Sequence, residues 1–311
     1  MAIKKETSQY FHEYFAEWIK VYKAGAVRPV TYEKYLMTLR RLTELAPNLK
    51  ICELDKRNYQ TLLNNYAETH EKQTTMDFHH QLKSVILDAI DEGLLTTDPT
   101  RKVIIKGKTA AKRKNKFLSQ FELKSLLNKL NLTNEPNWDW FILLIAKTGL
   151  RFAEALALTP NDFDFVRHKI NIIKTWDYKN PAGGFGETKN LSSKRIIQID
   201  PQLNKQFSTL TKGLTKNKPI FAKSRVFNST VNSRLKTLCK MANVPVISVH
   251  SLRHTHASLL IFAGVSIISI AKRLGHSSVT TTQETYLHII RELENQDNNK
   301  IMKHLSTLTQ I

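Results

Sequence analysis

The chain has 311 residues, 41% of them hydrophobic, with 47 Lys and Arg against 27 Asp and Glu, a formal net charge of +20. That length suggests two domains, each burying its own core, and the positive excess points to a polyanionic partner, most simply nucleic acid. A membrane fits less well, because no apolar run is long enough to span one and the basic residues are spread over the chain. The N-terminus, MAIKKETSQYFHEYF, lacks the apolar core of a signal peptide. Cys52 and Cys239 are far apart and without metal-type spacing, so they read as two small buried hydrophobes in a reducing cytosol.

The first hundred residues read as a small helical domain. Phe11, Phe15, Trp18 and Tyr22 recur at helical spacing and predict an amphipathic helix over 8–23, stopped near Gly25. Thr31 is the expected cap of a second helix with the stripe Tyr35, Leu39 and Leu42. Asp55 is the expected cap of a third with Tyr59, Leu62, Leu63 and Tyr66. Thr75 is the expected cap of a fourth with Phe78, Leu82, Val85, Ile86 and Ala89. The tyrosines sit at core spacing, which favours packing over base stacking.

Residues 101–116, RKVIIKGKTAAKRKNK, hold eight Lys or Arg and no acid. Such a run is either a solvated linker or a tether across a phosphate backbone. The charge of the whole chain favours the tether, which adds affinity without sequence preference. A second domain is expected over 117–311. Ser119 with Glu122 forms a capping-box pattern, and Trp138 to Ala146 is a nearly continuous apolar run that predicts a buried helix ended by Gly149. Arg151 then opens the helix RFAEALALT, at a junction suited to an anionic oxygen. Residues 166–175 and 194–199 alternate as strands of a small antiparallel sheet, with Lys189 near a strand end or hairpin turn. Helix returns from Ser229. Ser266 caps a helix stopped by Gly275, and Ser277 or Ser278 caps another, with Val279, Gln283, Tyr286 and Ile290 on one face.

The stretch 250–286, HSLRHTHASLLIFAGVSIISIAKRLGHSSVTTTQETY, organises the chain. His250 and Arg253 share a helix face. Singly, none of these residues decides anything: Tyr286 alone is better read as core, and Lys189 as an ordinary exposed lysine. His250, His254 and His256 fit a zinc spacing but lack a cysteine or carboxylate partner, so His254 and His256 are assigned packing and hydrogen bonding within their helix.

Taken together, TGLRFAEAL, ETKNLSSKR, HSLRHTHASLL and LGHSSVTTTQETY resemble the tyrosine recombinases, particularly phage- and transposon-type integrases. The resemblance covers most of the chain and is strongest over 141–290. It implies a mainly α fold with a small antiparallel β-sheet, in which a helical SAM-like core-DNA-binding domain over 1–100 is joined by the basic linker 101–116 to a mixed α/β catalytic domain. It also implies roles for single residues. Tyr286 is the nucleophile that forms a 3′-phosphotyrosyl bond, and Arg151 and Arg253 hold the non-bridging oxygens. Lys189 protonates the leaving 5′-oxygen, His250 assists proton transfer, His276 hydrogen-bonds the phosphate, and Glu154 orients Arg151. Nearby cations are expected to lower the Tyr286 pKa from its usual value near ~10. No cofactor or metal is expected.

The implied partners are double-stranded DNA attachment sites, a homotetramer on synapsed DNA and a host bending protein or excisionase, in the bacterial cytoplasm. Residues 291–311 are a candidate docking segment for a neighbouring protomer. Many such integrases carry a further N-terminal arm-binding domain. The helical domain here begins close to Met1, which fits either the short two-domain kind or a chain without that domain. The alternatives are a Xer-type resolvase of chromosome or plasmid dimers, a type IB topoisomerase, and a basic DNA-binding regulator in which Tyr286 is core.

Overall fold

The computed structural model describes residues 9–109 and 117–287. The chain divides into two compact units, Met1–Arg113 and Lys114–Ile311. Among the described residues no helix is long and apolar enough to cross a membrane.

Among the described residues the first unit holds four α-helices: α1 (Phe11–Tyr22), α2 (Pro29–Leu45), α3 (Lys56–Ala67) and α4 (Lys72–Asp91). Their apolar stripes meet in one core that includes Phe11, Phe15 and Trp18 of α1, Leu42, Tyr59, Leu63 and Leu82. The Tyr59 hydroxyl lies 2.9 Å from His79 Nδ1 in the interior, and Tyr66 stacks between Phe78 and His70 at ring separations of 4.0 and 3.9 Å. These tyrosines are packing residues.

Two helix starts differ from expectation. The second helix begins ahead of Thr31, because Pro29 occupies its first turn, where a fixed φ and a missing N–H cost nothing. Thr75 lies inside α4, which begins at Lys72, and its hydroxyl donates back to the Glu71 carbonyl at 3.3 Å. Asp55 does cap α3, accepting from Asn58 N–H at 2.7 Å. The first part of the basic run belongs to this unit. Gln60 brackets the Ile104 backbone with two hydrogen bonds of 2.9 Å, and Lys108 N–H donates to the His70 carbonyl at 2.8 Å.

The second unit opens with α5 (Gln120–Leu127), where Glu122 N–H donates to Ser119 Oγ and Ser119 N–H to Glu122. Its centre is α6 (Trp138–Thr148), buried on nearly every face and packed against α7 (Phe152–Leu156), α9 (Asn228–Met241) and α10 (Val249–Phe262). Each fully buried Leu or Ile there contributes roughly 1.5–3 kcal/mol. Arg234 of α9 grips Asp139 of α6 through two bonds of 2.7 Å.

Among the described residues the β-strands form two small antiparallel sheets. Strands β1 (Phe163–Asp164), β2 (Lys169–Ile172) and β5 (Arg195–Gln198) form one, in the order β1-β2-β5, with Ile170 opposite Ile197. Strands β3 (Lys174–Trp176) and β4 (Phe185–Glu187) form the other, so the second strand of that hairpin comes from the glycine-containing loop. An unpredicted helix, α8 (Pro201–Leu210), follows β5, with Asp200 as its cap and Pro201 in its first turn. Then come α11 (Ile267–Leu274), capped by Ser266, and α12, helical over 279–287. Ile290 and the segment 291–311 lie outside the described residues. Cys239 is buried as expected, whereas Cys52 is exposed.

Candidate active site

Two turns and two helices assemble the site. The first turn ends α6 at Gly149 in the left-handed region, φ +68°, where an added Cβ would stand 2.7 Å from His256 Cδ2. The second ends α11 at Gly275, φ +69°, where an added Cβ would stand 2.7 Å from Arg195 Nη1. Arg151 and His276 follow these turns by two residues and one residue. Helix α10 supplies His250, Arg253, His254 and His256, and α12 supplies Tyr286.

The cations are held by backbone carbonyls and one carboxylate. Arg253, 4% exposed, donates to the Gly149 carbonyl and to the Leu274 carbonyl, each at 2.7 Å, and so spans both turns. Burial, then the Arg151 charge, draws its pKa down to about 9, which leaves it charged at neutral pH. Arg151 donates to the Gly275 carbonyl at 2.6 Å, to Glu154 at 2.7 Å and to Ser193 Oγ at 3.2 Å.

Glu154, 1% exposed, also receives two bonds from Arg195, at 3.2 and 3.0 Å. Burial alone would raise its carboxyl pKa. Hydrogen bonding and charge from Arg195, with the charge of Arg151, outweigh burial and hold it below the ordinary value. The helix junction expected to receive an outside anion is therefore partly taken: the Arg151 N–H donates to Glu154 at 3.0 Å, and α7 is only five residues long.

The histidines divide by partner. Burial, then Arg253 and Arg151, lowers the His250 pKa and keeps the ring neutral at neutral pH. His276 is drawn down to about 4 by burial and by Arg253, Arg151 and Arg195, and its Nδ1 lies 2.7 Å from Thr282 Oγ1. His254 and His256 were expected to pack and bond within their helix, and both also reach partners outside it. His256 Nδ1 faces the Ala146 carbonyl at 3.0 Å while its Nε2 accepts from Arg273 Nε at 2.9 Å, which occupies both nitrogens and removes the zinc reading. Among the described residues no three His, Cys, Asp or Glu side chains are grouped to hold a metal ion.

Tyr286 is 2% exposed, its ring in an apolar cluster with Ala257, Ile261, Ile270 and Leu274. Its hydroxyl lies 3.0 Å from His254 Nδ1. Burial pushes its pKa up to about 12 although Arg253 pulls it down, the reverse of the expected shift. Proximity to a cation was visible in the sequence, but the desolvation that outweighs it was not.

Lys189 lies on an exposed bend two residues after β4. The adjoining Asn190 accepts from Ser193 Oγ at 2.6 Å, and Ser193 in turn accepts from Arg151, so the Lys189 loop is tied to the arginine by short links. Three further residues went unmarked in sequence: Arg195, Ser193 and Thr282. Arg195 reads there as an ordinary charged position of a strand.

Known proteins similar to this chain are integrases. The model of the phage integrase family matches residues 116–292. The integrase of Staphylococcus phage L54a is 23% identical over 94% of this chain and 92% of its own length. The ICEBs1 integrase of Bacillus subtilis is 27% identical over 71% of this chain and 62% of its own length. The Tn1549 transposon integrase, solved in complex with transposon right end DNA, shares the fold at TM-score 0.75 and 18% identity, over 93% of this chain and 99% of that one. A lambda integrase dimer bound to a COC′ core site gives 0.66 at 16% identity, over 91% and 78%. With a family match over more than half its length, this chain belongs to the phage integrase family and is a tyrosine-type site-specific DNA recombinase of the kind that integrates and excises mobile elements.

Proposed function

We propose that Tyr286 attacks a scissile phosphate in duplex DNA, leaving a 3′-phosphotyrosyl bond and a free 5′-hydroxyl. The observation that supports this most is that the buried Tyr286 hydroxyl lies 3.0 Å from His254, the residue next to the buried Arg253 on α10. A phosphodiester resists attack because it is anionic, and its transition state gathers charge on the non-bridging oxygens. Arg253, buried, and Arg151, half-buried, are each fixed by backbone carbonyls and meet that charge without reorganising.

His276 is neutral. With Thr282 donating to Nδ1, its Nε2–H is left to donate to a phosphate oxygen. Lys189 delivers a proton to the departing 5′-oxygen, and His250 assists proton transfer. The tyrosyl ester conserves the energy of the broken bond, so rejoining needs no nucleotide. On this reading the substrate is a pair of attachment sites synapsed by a homotetramer. The two units grip the duplex with the run 101–116 as a tether across the backbone, and residues 291–311 dock on a neighbouring protomer.

Covalent trapping tests this reading. A suicide duplex built from the chromosome–element junction that flanks the gene, nicked just 3′ of the scissile phosphate, is incubated in EDTA with the wild type and with Tyr286→Phe. A denaturation-resistant adduct is expected with the wild type alone. An adduct with both proteins, or none on a duplex that the wild type retains in a gel shift, overturns it.

A further inference from the structure

We propose that His254, rather than His250, is the base that takes the proton from the Tyr286 hydroxyl. The proposal rests on Tyr286 being the nucleophile and assigns a catalytic residue to that step. His254 Nδ1 is 3.0 Å from the Tyr286 oxygen, within the reach that proton transfer needs. The rings meet at a centroid distance of 5.9 Å and an angle of 60°. At 2% exposure and with an apolar cluster around its ring, Tyr286 offers bulk water little access, so a protein group must receive the proton. Burial also makes this phenol a weaker acid than a free tyrosine, which raises the need for a base.

His250 lies one turn earlier on α10. Its ring meets that of His254 edge-on at 4.9 Å and 86°, and it is the His254 ring that meets Tyr286. His254 touches both His250 and the phenol.

The step balances as follows. His254 holds its own proton on Nε2 and presents the Nδ1 lone pair to the Tyr286 O–H. As the Tyr286 oxygen bonds to phosphorus, its proton passes to Nδ1 and the ring becomes an imidazolium. The phosphorus–5′-oxygen bond breaks, and the 5′-oxygen takes a proton from Lys189. On rejoining, the 5′-hydroxyl attacks phosphorus and returns its proton to Lys189, and the departing Tyr286 oxygen recovers its proton from His254. His250 is left to serve the 5′-hydroxyl side.

The test uses the full chain, the suicide duplex above and site-specific 2,3,5-trifluorotyrosine at position 286. His254→Asn keeps a polar group near the Nδ1 position but cannot carry the proton. Adduct formation is expected to slow about 100-fold or more, with gel-shift retention of the duplex unchanged. The more acidic trifluorophenol, needing less help, is expected to recover at least about 10-fold of that loss, while changing the rate little when His254 is intact. A wild-type rate for His254→Asn overturns the proposal. So does a slow rate that the acidic phenol fails to rescue, which would make His254 a packing partner only. If His254→Asn no longer retains the duplex, His254→Gln is read by the same two criteria. Absence of an adduct from the wild type would instead overturn the reading of Tyr286 as nucleophile.

Discussion

The Glu154 carboxylate shows how single residues set this site. One buried anion holds Arg151, which faces the phosphate on our reading, and Arg195, whose Nε donates to the Arg273 carbonyl at 2.6 Å near the end of α11. Its folded pKa is depressed, so its contribution to stability is fully present above the ordinary carboxyl value and is lost as pH falls through the folded one. Removing that charge leaves two guanidinium groups without their shared counter-ion, and Glu154→Gln should cost about 3 kcal/mol at neutral pH. In urea unfolding the gap between Glu154→Gln and wild type should close on acidification. A gap that does not change with pH would show that the charge is unimportant. The role of Glu154 in orienting Arg151 was implied by the resemblance of TGLRFAEAL to a known family. That of Arg195 was not legible, because its partners lie 41 and 78 residues away.

At the scale of elements, the glycine turns do most to position the site. Gly149 must adopt a positive φ, must leave room for the His256 ring, and must present its carbonyl to Arg253. Gly149→Ala should therefore destabilise the fold by about 1–3 kcal/mol and slow adduct formation on the suicide duplex. Thermal melting and trapping check the two effects separately, and an unchanged melt would remove the argument from strain. Helix signals were legible wherever a cap chemistry was explicit: Asp55, the Ser119–Glu122 box, Ser266 and the stops at Gly149 and Gly275. They misled at Thr31 and Thr75, where a β-hydroxyl residue lies inside a helix that starts earlier. The β3–β4 hairpin was hidden because strands of three residues have too few positions to show alternation.

For the whole molecule, the charge of +20 is the dominant physical fact. A protein that neutralises phosphates releases counterions, so affinity should fall linearly in log–log form as salt rises. Replacing Lys112, Arg113 and Lys114 with Gln, in the part of the basic run outside the described residues, should make that slope shallower by roughly 3, at about 0.9 per lost contact. The choice of recombination site should stay unchanged, since phosphate contacts carry no sequence information. Fluorescence anisotropy across a salt series measures the slope, and an unaltered slope would show that this run does not touch the backbone.

The sequence by itself carried the expectation of two domains, the basic character and, through the resemblance of its motifs to a family, the ordered candidates Arg151, Lys189, His250, Arg253, His276 and Tyr286. These follow from local periodicity, composition and motif order, all of which are written along the chain. Only the tertiary structure decided which charges are desolvated, which carbonyls hold them and where the Tyr286 proton can go. Those depend on packing between segments more than a hundred residues apart, such as Arg253 on Gly149 and Arg151 on Gly275. The physical reason is that burial and hydrogen-bond geometry belong to the assembled interior. A histidine four residues from His250 is equivalent to any other on its helix until α12 brings a phenol against it.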